Sequence, residues 1–365
     1  MTVYSHEYMK EIIRKAYDEH YALPAINVSN LDTAIAAFNG LKKANSPGFI
    51  QVTLGSVEQA SPNNDPVEGS IILGRMLTAL REDYDIPVFI HTDHCHYKYV
   101  DTWLVPLMKK LIEIKNETGE RIFDSFMFDG SMTDIYENAR VIRRILPLVR
   151  ELDAYIEVEA GGAWGGKEDG IGGGAKYSTP DDVKIIQNAM HSHDYNDDDY
   201  LLAVAFGNAH GTAVVPNLKP ELLHEISVNT NEHNFYVFHG GSGSPADDVR
   251  EAVRNGVVKM NVDTDTQYAF THGVFEFWKN APLDPDVSNF YTDDDYTRKI
   301  VRAAERHDYD AIRKTVIENT PRTVVTSHKH GKDYFDPRHW NKAGRDSMSE
   351  KIIEITYLLG SHNKA

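Results

Sequence analysis

A chain of 365 residues, 41% of them hydrophobic, can bury a substantial core, yet no run approaches the roughly 18 to 20 apolar residues of a membrane span. The formal net charge of -17 argues against nucleic acid as a partner, because such a surface repels phosphate backbones. A single cysteine, Cys95, excludes an internal disulfide and fits a reducing cytoplasm, and the mixed, polar residues 1–10 do not read as a signal peptide.

In chain order, a β-rich run at 23–28 leads into a helical pattern at 31–44, and a second run at 49–53 into one at 69–82. Runs at 88–91 and 122–128 precede helical patterns at 102–114 and 133–152. A fifth run at 155–159 precedes a helix at 180–189, whose start Ser178-Thr179-Pro180-Asp181 has the chemistry of a helix N-terminus. Runs at 201–206, 235–238 and 257–261 follow, with helices expected from about Pro245 and over 264–279. Strands that alternate with helices pair in parallel through right-handed crossovers, and eight such units predict a closed (β/α)8 TIM barrel. No Gly-x-Gly-x-x-Gly follows the first strand, which weakens a dinucleotide-binding alternative. The acidic runs 196–199 and 293–295 read as solvated loops. Helical patterns at 296–319 and 342–359 read as a helical insertion or extension, at about 281–365, of a single domain spanning 1–365.

Barrel chemistry sits at the C-terminal ends of the strands. Those ends read Asn27, Thr53, His91-Thr92-Asp93-His94, Asp129, Glu157 and Glu159, Asn208 and His210, His239, then Asn261 and Asp263. Ordinary turns would supply Gly, Asn, Asp and Ser. Three histidines, His94, His210 and His239, with Glu159 between them, point instead to a metal. Imidazoles can hold Zn2+ with a position open to substrate, and the ion can then polarise a carbonyl and stabilise the enediolate left by carbon–carbon cleavage. Asp93, adjacent to a ligand, suits proton transfer at a substrate hydroxyl, or else it orients a histidine. His91 reads as packed inside and His96 as loop surface.

Two glycine-bearing segments add to this. His239-Gly240-Gly241-Ser242-Gly243-Ser244 after the seventh strand and Asn261-Val262-Asp263-Thr264 after the eighth lie where such barrels bind phosphate on backbone N–H groups. The stretch 161–174 holds too many glycines for a helix or strand, and reads either as a surface loop or as a lid carrying Glu168.

Together these residues resemble class II, metal-dependent fructose-bisphosphate aldolases over nearly the whole chain. The similarity is carried by Leu23-Pro24-Ala25-Ile26-Asn27, His91-Thr92-Asp93-His94-Cys95, Ala205-Phe206-Gly207-Asn208-Ala209-His210-Gly211, the segments 238–244 and 256–267, and Asp336-Pro337-Arg338. The resemblance implies reversible cleavage of fructose 1,6-bisphosphate to dihydroxyacetone phosphate and glyceraldehyde 3-phosphate. It implies zinc on His94, His210 and His239 with Glu159, although other divalent metals stay open, and Asp129 and Glu157 near a second metal position. Asp93 would handle the C4 hydroxyl proton, Glu168 the proton on the dihydroxyacetone phosphate carbon, and Asn261 would contact the enediolate. Gly211, Gly240, Gly241, Ser242, Asp263 and Thr264 would surround a phosphate with a monovalent cation nearby, Asn27 and Thr53 would contact substrate, and Arg338 would reach the other phosphate, often across a subunit interface. A homodimer or larger homo-oligomer is expected, with sugar phosphates as ligands and neither nucleic acid nor membrane as a partner.

The chain departs from the family in several places. Thr53-Leu54-Gly55-Ser56 stands where Ser-Asn-Gly-Gly is usual, and 211–216 lacks a Lys-Pro-Gly element near the phosphate and cation. Lys167 replaces a second acid, and 284–332 is enlarged. These departures keep two alternatives open: another phosphorylated ketose, such as tagatose 1,6-bisphosphate or a sulfonated analogue, and a metal-binding barrel without catalysis. Lys259, on the eighth strand, raises a lysine mechanism for comparison.

Overall fold

The computed structural model describes residues 4–161, 177–208, 217–230, 234–280, 302–303, 306, 308–319 and 336–365. Eight strands, β1 (Leu23–Asn27), β2 (Gly48–Val52), β3 (Val88–Thr92), β4 (Ser125–Phe128), β5 (Tyr155–Ala160), β6 (Leu201–Val204), β7 (Tyr236–Phe238) and β8 (Val257–Val262), close into one barrel in chain order. Every neighbouring pair is parallel, including β1 with β8, where Ala25 stands opposite Asn261. The expected runs match these strands to within a residue, except that β6 ends two residues early and β4 begins three residues late. Asp124 there holds Arg81 in a buried ion pair (2.5 Å).

The two faces of each strand serve different ends. Outward residues such as Ile26, Ile50, Ile90, Phe126, Val158 and Leu202 pack under the helices. At the N-terminal end of the interior, Leu23, Phe49, Phe89, Tyr155, Leu201 and Phe235 form an apolar layer. Two residues further along, the same face is polar on four strands, with Gln51, His91, Glu157 and Lys259, while Ala25, Ala203 and Val237 stay apolar. Another two bring Asn27, Asp93, Glu159, His239 and Asn261 to the C-terminal mouth. A period of two, counted along parallel strands, thus stacks an inert half beneath a chemical one.

Helix α1 (His6–Asp18) starts at Ser5, whose hydroxyl accepts the Tyr8 N–H, and buries Met9, Ile13 and Ala16. This face packs on the apolar layer and closes the N-terminal end of the barrel. Its polar side explains the acidic run 196–199, which is not the solvated loop expected. Lys10 donates to Asp199 (2.6 Å) and Arg14 pairs with Asp198. The run at 293–295 lies outside the described residues.

Helices α2 (Leu31–Ala44), α3 (Leu54–Ala60), α4 (Pro66–Arg81), α5 (Val105–Thr118), α6 (Ile135–Leu152), α7 (Pro180–His191), α8 (Glu221–Asn229), α9 (Ala246–Arg254) and α10 (Thr264–Asn280) complete the succession. The α7 start carries the predicted cap, Thr179 accepting the Asp182 N–H with Asp182 answering. Residues 271–344 form a second compact unit that includes the helix Tyr309–Asn319, whereas 345–365 belong with the barrel. There Met348, Ile352, Ile355 and Leu359, on the helix Pro337–Leu359, join the outer core. Among the described residues no helix is long and apolar enough to cross a membrane.

Candidate active site

At the mouth, His94, Glu159 and His239 each offer a ligand atom, and these atoms lie within 4.8 Å of one another. Tetrahedral zinc at about 2.0 Å from its ligands would set them roughly 3.3 Å apart, so a contraction of at most roughly 1.5 Å closes the set. The chemistry of each residue fits a cation. His239 Nε2 meets Glu157 Oε1 at 2.6 Å, which turns Nδ1 toward Glu159 Oε2 at 3.9 Å. His94 Nδ1 meets Asp129 Oδ2 at 2.8 Å. Each imidazole is therefore backed by a buried carboxylate on its far nitrogen, the arrangement that fixes the tautomer of a metal-ligating histidine. Glu159 Oε2 is buried without a hydrogen-bond partner among the described residues. Burial, together with the charges of Asp129, Glu157 and Asp93, pushes the Glu159 carboxyl well above its ordinary range. A bound cation would relieve that cost directly.

Asp129 behaves oppositely: burial would raise it, but His94 and His96 hold it well below the usual carboxylate range. Burial would likewise lower His94, and Asp93 with Asp129 instead raise it to about 9. His94 also carries a φ of 32°, a left-handed conformation that costs a non-glycine residue on the order of 1 kcal/mol and recurs at functional sites. His96 corrects the surface reading. It forms a bridge with Asp129, and its Nδ1 lies 2.9 Å from the same Oδ2 that His94 meets.

Asp93 is 3% exposed and lies 4.0 Å from His94 Nε2. Asn27 Nδ2 donates to its Oδ2 (2.7 Å) and Asn261 Nδ2 to its Oδ1 (3.1 Å). Burial would raise its pKa, but His94, Lys259 and the Asn27 amide keep it below the ordinary value, so it is ionised at neutral pH and able to accept a proton. His91, read as packed, is fully buried, with Nδ1 2.6 Å from Ser125 Oγ. Glu157 lies against Lys259 (2.8 Å) and His239 (2.6 Å).

The glycine segment makes a tight turn between β7 and α9, in which the Gly241 N–H donates to the Asn261 carbonyl (3.1 Å). Gly240 and Gly243 have φ of 68° and 73°. A Cβ at Gly241 would lie 2.7 Å from Met260 Cγ and 2.9 Å from the Asn261 carbonyl oxygen, so the strand-to-helix turn packs only with glycine. The Ser242 hydroxyl accepts the Asp265 N–H (3.2 Å), tying this turn to the start of α10. Asp263 accepts from Gln267 in the first turn of α10, and Thr264 opens that helix. Thr53 caps α3, accepting the Ser56 N–H at 3.2 Å. Arg338, in the second unit, donates through Nε to Asp336 (3.0 Å) and is 79% exposed. His210, Gly211 and Glu168 lie outside the described residues, as does the glycine stretch beyond Gly161.

An eight-stranded parallel barrel with histidines and carboxylates converging at its C-terminal mouth is the architecture of a barrel enzyme with a candidate metal centre. The sequence matches the family described as class-II fructose-bisphosphate aldolase over residues 7–364. It is 33% identical over 370 residues to a fructose-bisphosphate aldolase of Mycobacterium leprae, covering 97% of this chain and 96% of that one. It is 32% identical over 375 residues to one of Streptomyces galbus, at 99% and 98% coverage. A crystal structure of the Campylobacter jejuni fructose-bisphosphate aldolase superposes with a TM-score of 0.76 at 29% identity, over 99% of this chain and 97% of that one. The YdjI aldolase of Escherichia coli K12 shares the fold, with a TM-score of 0.63 at 20% identity over 98% of each chain. The chain belongs to the class II fructose-bisphosphate aldolase family, and is thus an aldolase, a lyase that breaks carbon–carbon bonds.

Proposed function

We propose that this aldolase is zinc-dependent and reversibly cleaves fructose 1,6-bisphosphate to dihydroxyacetone phosphate and glyceraldehyde 3-phosphate. The observation that carries the reading is the convergence of His94, Glu159 and His239 beside the ionised, amide-braced Asp93. His210 completes the ligand set. Zinc held there supplies Lewis acidity to the oxygens of the substrate. Asp93 accepts the C4 hydroxyl proton as the C3–C4 bond breaks and glyceraldehyde 3-phosphate departs. The electron pair stays with the dihydroxyacetone phosphate half, which Asn261 contacts and to whose carbon Glu168 returns a proton. Gly240, Gly241 and Ser242, with Gly211, Asp263 and Thr264, surround one phosphate, with a monovalent cation beside it. Asn27 and Thr53 contact substrate, and Arg338 reaches the second phosphate in a homodimer or larger assembly. Asp129 and Glu157 frame the second metal position. A cytoplasmic setting accords with the single, buried Cys95.

A lysine mechanism is disfavoured: Lys259 Nζ is fully buried, 2.8 Å from Glu157 and 2.6 Å from Asn261 Oδ1. Leu54 and the altered 211–216 segment favour a second reading, in which the ketose is tagatose 1,6-bisphosphate or a sulfonated analogue.

A coupled assay on fructose 1,6-bisphosphate, before and after chelation and with zinc restored, tests the proposal. Activity should vanish with the chelator and return with zinc. Turnover indifferent to chelation, or a borohydride-trapped adduct on Lys259, would overturn the metal mechanism. Inactivity on this sugar with metal retained would move the assignment to another ketose phosphate, resolved by comparing kcat/KM across a panel.

A further inference from the structure

Beneath the mouth, a chain of buried ion pairs and hydrogen bonds crosses the barrel from strand to strand. Lys259 on β8 and Glu157 on β5 are both fully buried, and they meet at 2.8 Å. The other oxygen of Glu157 faces His239 Nε2 at 2.6 Å. Lys259 Nζ also reaches Asn261 Oδ1 at 2.6 Å, and Asn261 Nδ2 donates to Asp93 Oδ1 at 3.1 Å. From the other side Gln51 Nε2 donates to Asn27 Oδ1 (2.6 Å), and Asn27 Nδ2 to Asp93 Oδ2 (2.7 Å).

The direction of this chain is set by chemistry. An ammonium has only donors, so the atom Asn261 shows to Lys259 must be its carbonyl oxygen. The amide then has one way left to face, with its NH2 on Asp93. Without Lys259 the Asn261 oxygen loses its donor, and the amide is free to swing away from the carboxylate. Glu157, compensated by Lys259, is in turn the acceptor that fixes which ring nitrogen His239 directs to Glu159.

We propose that Lys259 is a positioning residue of the aldolase, orienting Asn261 toward Asp93 and, through Glu157, orienting His239. This inference rests on the function proposed above. Its rival is that Lys259 merely neutralises a buried carboxylate, whose isolation would be costly whatever the reaction.

Lys259→Met alone leaves Glu157 unpaired and could simply unfold the protein. The deciding variant is therefore Lys259→Met with Glu157→Gln, which removes both charges while the Gln carbonyl still accepts from His239. Full-length parent and double variant are compared for kcat and KM on fructose 1,6-bisphosphate, zinc affinity by chelator competition, and crystal structure. The expected result is a folded double variant that still binds zinc, with affinity lowered by about 10- to 100-fold. Its kcat should fall by about 100-fold with KM little changed, the signature of a group displaced by about 1 Å. Its Asn261 should have left Asp93. A double variant as fast as the parent, or one whose Asn261 still donates to Asp93, would overturn the proposal. Failure of the double variant to fold would also overturn it, making the pair structural. If the parent does not cleave the sugar, the proposed function fails separately, and the position of Asn261 in the double-variant crystal decides this inference alone.

Discussion

His91 occupies the polar middle layer of the barrel with no exposure to solvent. Burial, reinforced by Lys259, lowers its pKa from the ordinary 6.5 to about 3. Below pH 6.5 the unfolded chain takes up a proton that the folded one refuses, so this contribution to stability is complete above that value and drains as pH falls toward 3. The loss between pH 6.5 and 5 should therefore be smaller in His91→Gln than in the parent. Tm measured across that interval checks this, and equal slopes would assign the acid sensitivity to another group. The same scale shows what a sequence can disclose. His94, Glu159 and His239 are legible because they fall at strand ends. His96 is not, because its contact with Asp129 depends on a bridge between the segment after β3 and the end of β4. The Lys259–Glu157 pair is equally hidden. It joins β8 to β5, strands that are not neighbours in the barrel, so no local spacing announces it.

Among the elements, the eight strands could be read from apolar runs and the helices between them from their periodicity, since both patterns are local. Helix α1 escaped, although Met9, Ile13 and Ala16 have helical spacing, because its many charges resemble an exposed tail. Those charges make sense only with the acidic run 196–199, nearly two hundred residues away, which receives Lys10 and Arg14. The short helix α3 went unseen because seven residues leave little periodicity to detect, and α8, with nine, lacks a side-chain cap at its start to mark it. The role of α1 can be tested apart from catalysis. Ile13 is fully buried in the layer it closes, so Ile13→Ala should cost about 2–5 kcal/mol in urea unfolding while KM for the sugar phosphate stays unchanged. A rise in KM would mean that disturbance at this end reaches the mouth.

For the molecule as a whole, the dominant quantity is a formal net charge of -17. Like charges on a compact body repel, and salt within the first few tenths molar shortens the reach of that repulsion to about 5–10 Å. Tm should accordingly rise as sodium chloride is raised from about 0.01 to about 0.3 M, and a flat or falling curve would show that attractive pairs such as Lys10–Asp199 outweigh the repulsion. With α1 seated across its N-terminal end, the barrel is a cup with a floor. Whatever reacts inside enters and leaves by a single rim. Under the proposed reaction two products of unequal attachment share that exit: an aldehyde set free by bond cleavage, and a ketose fragment still held at the glycine turn beside β7 and β8.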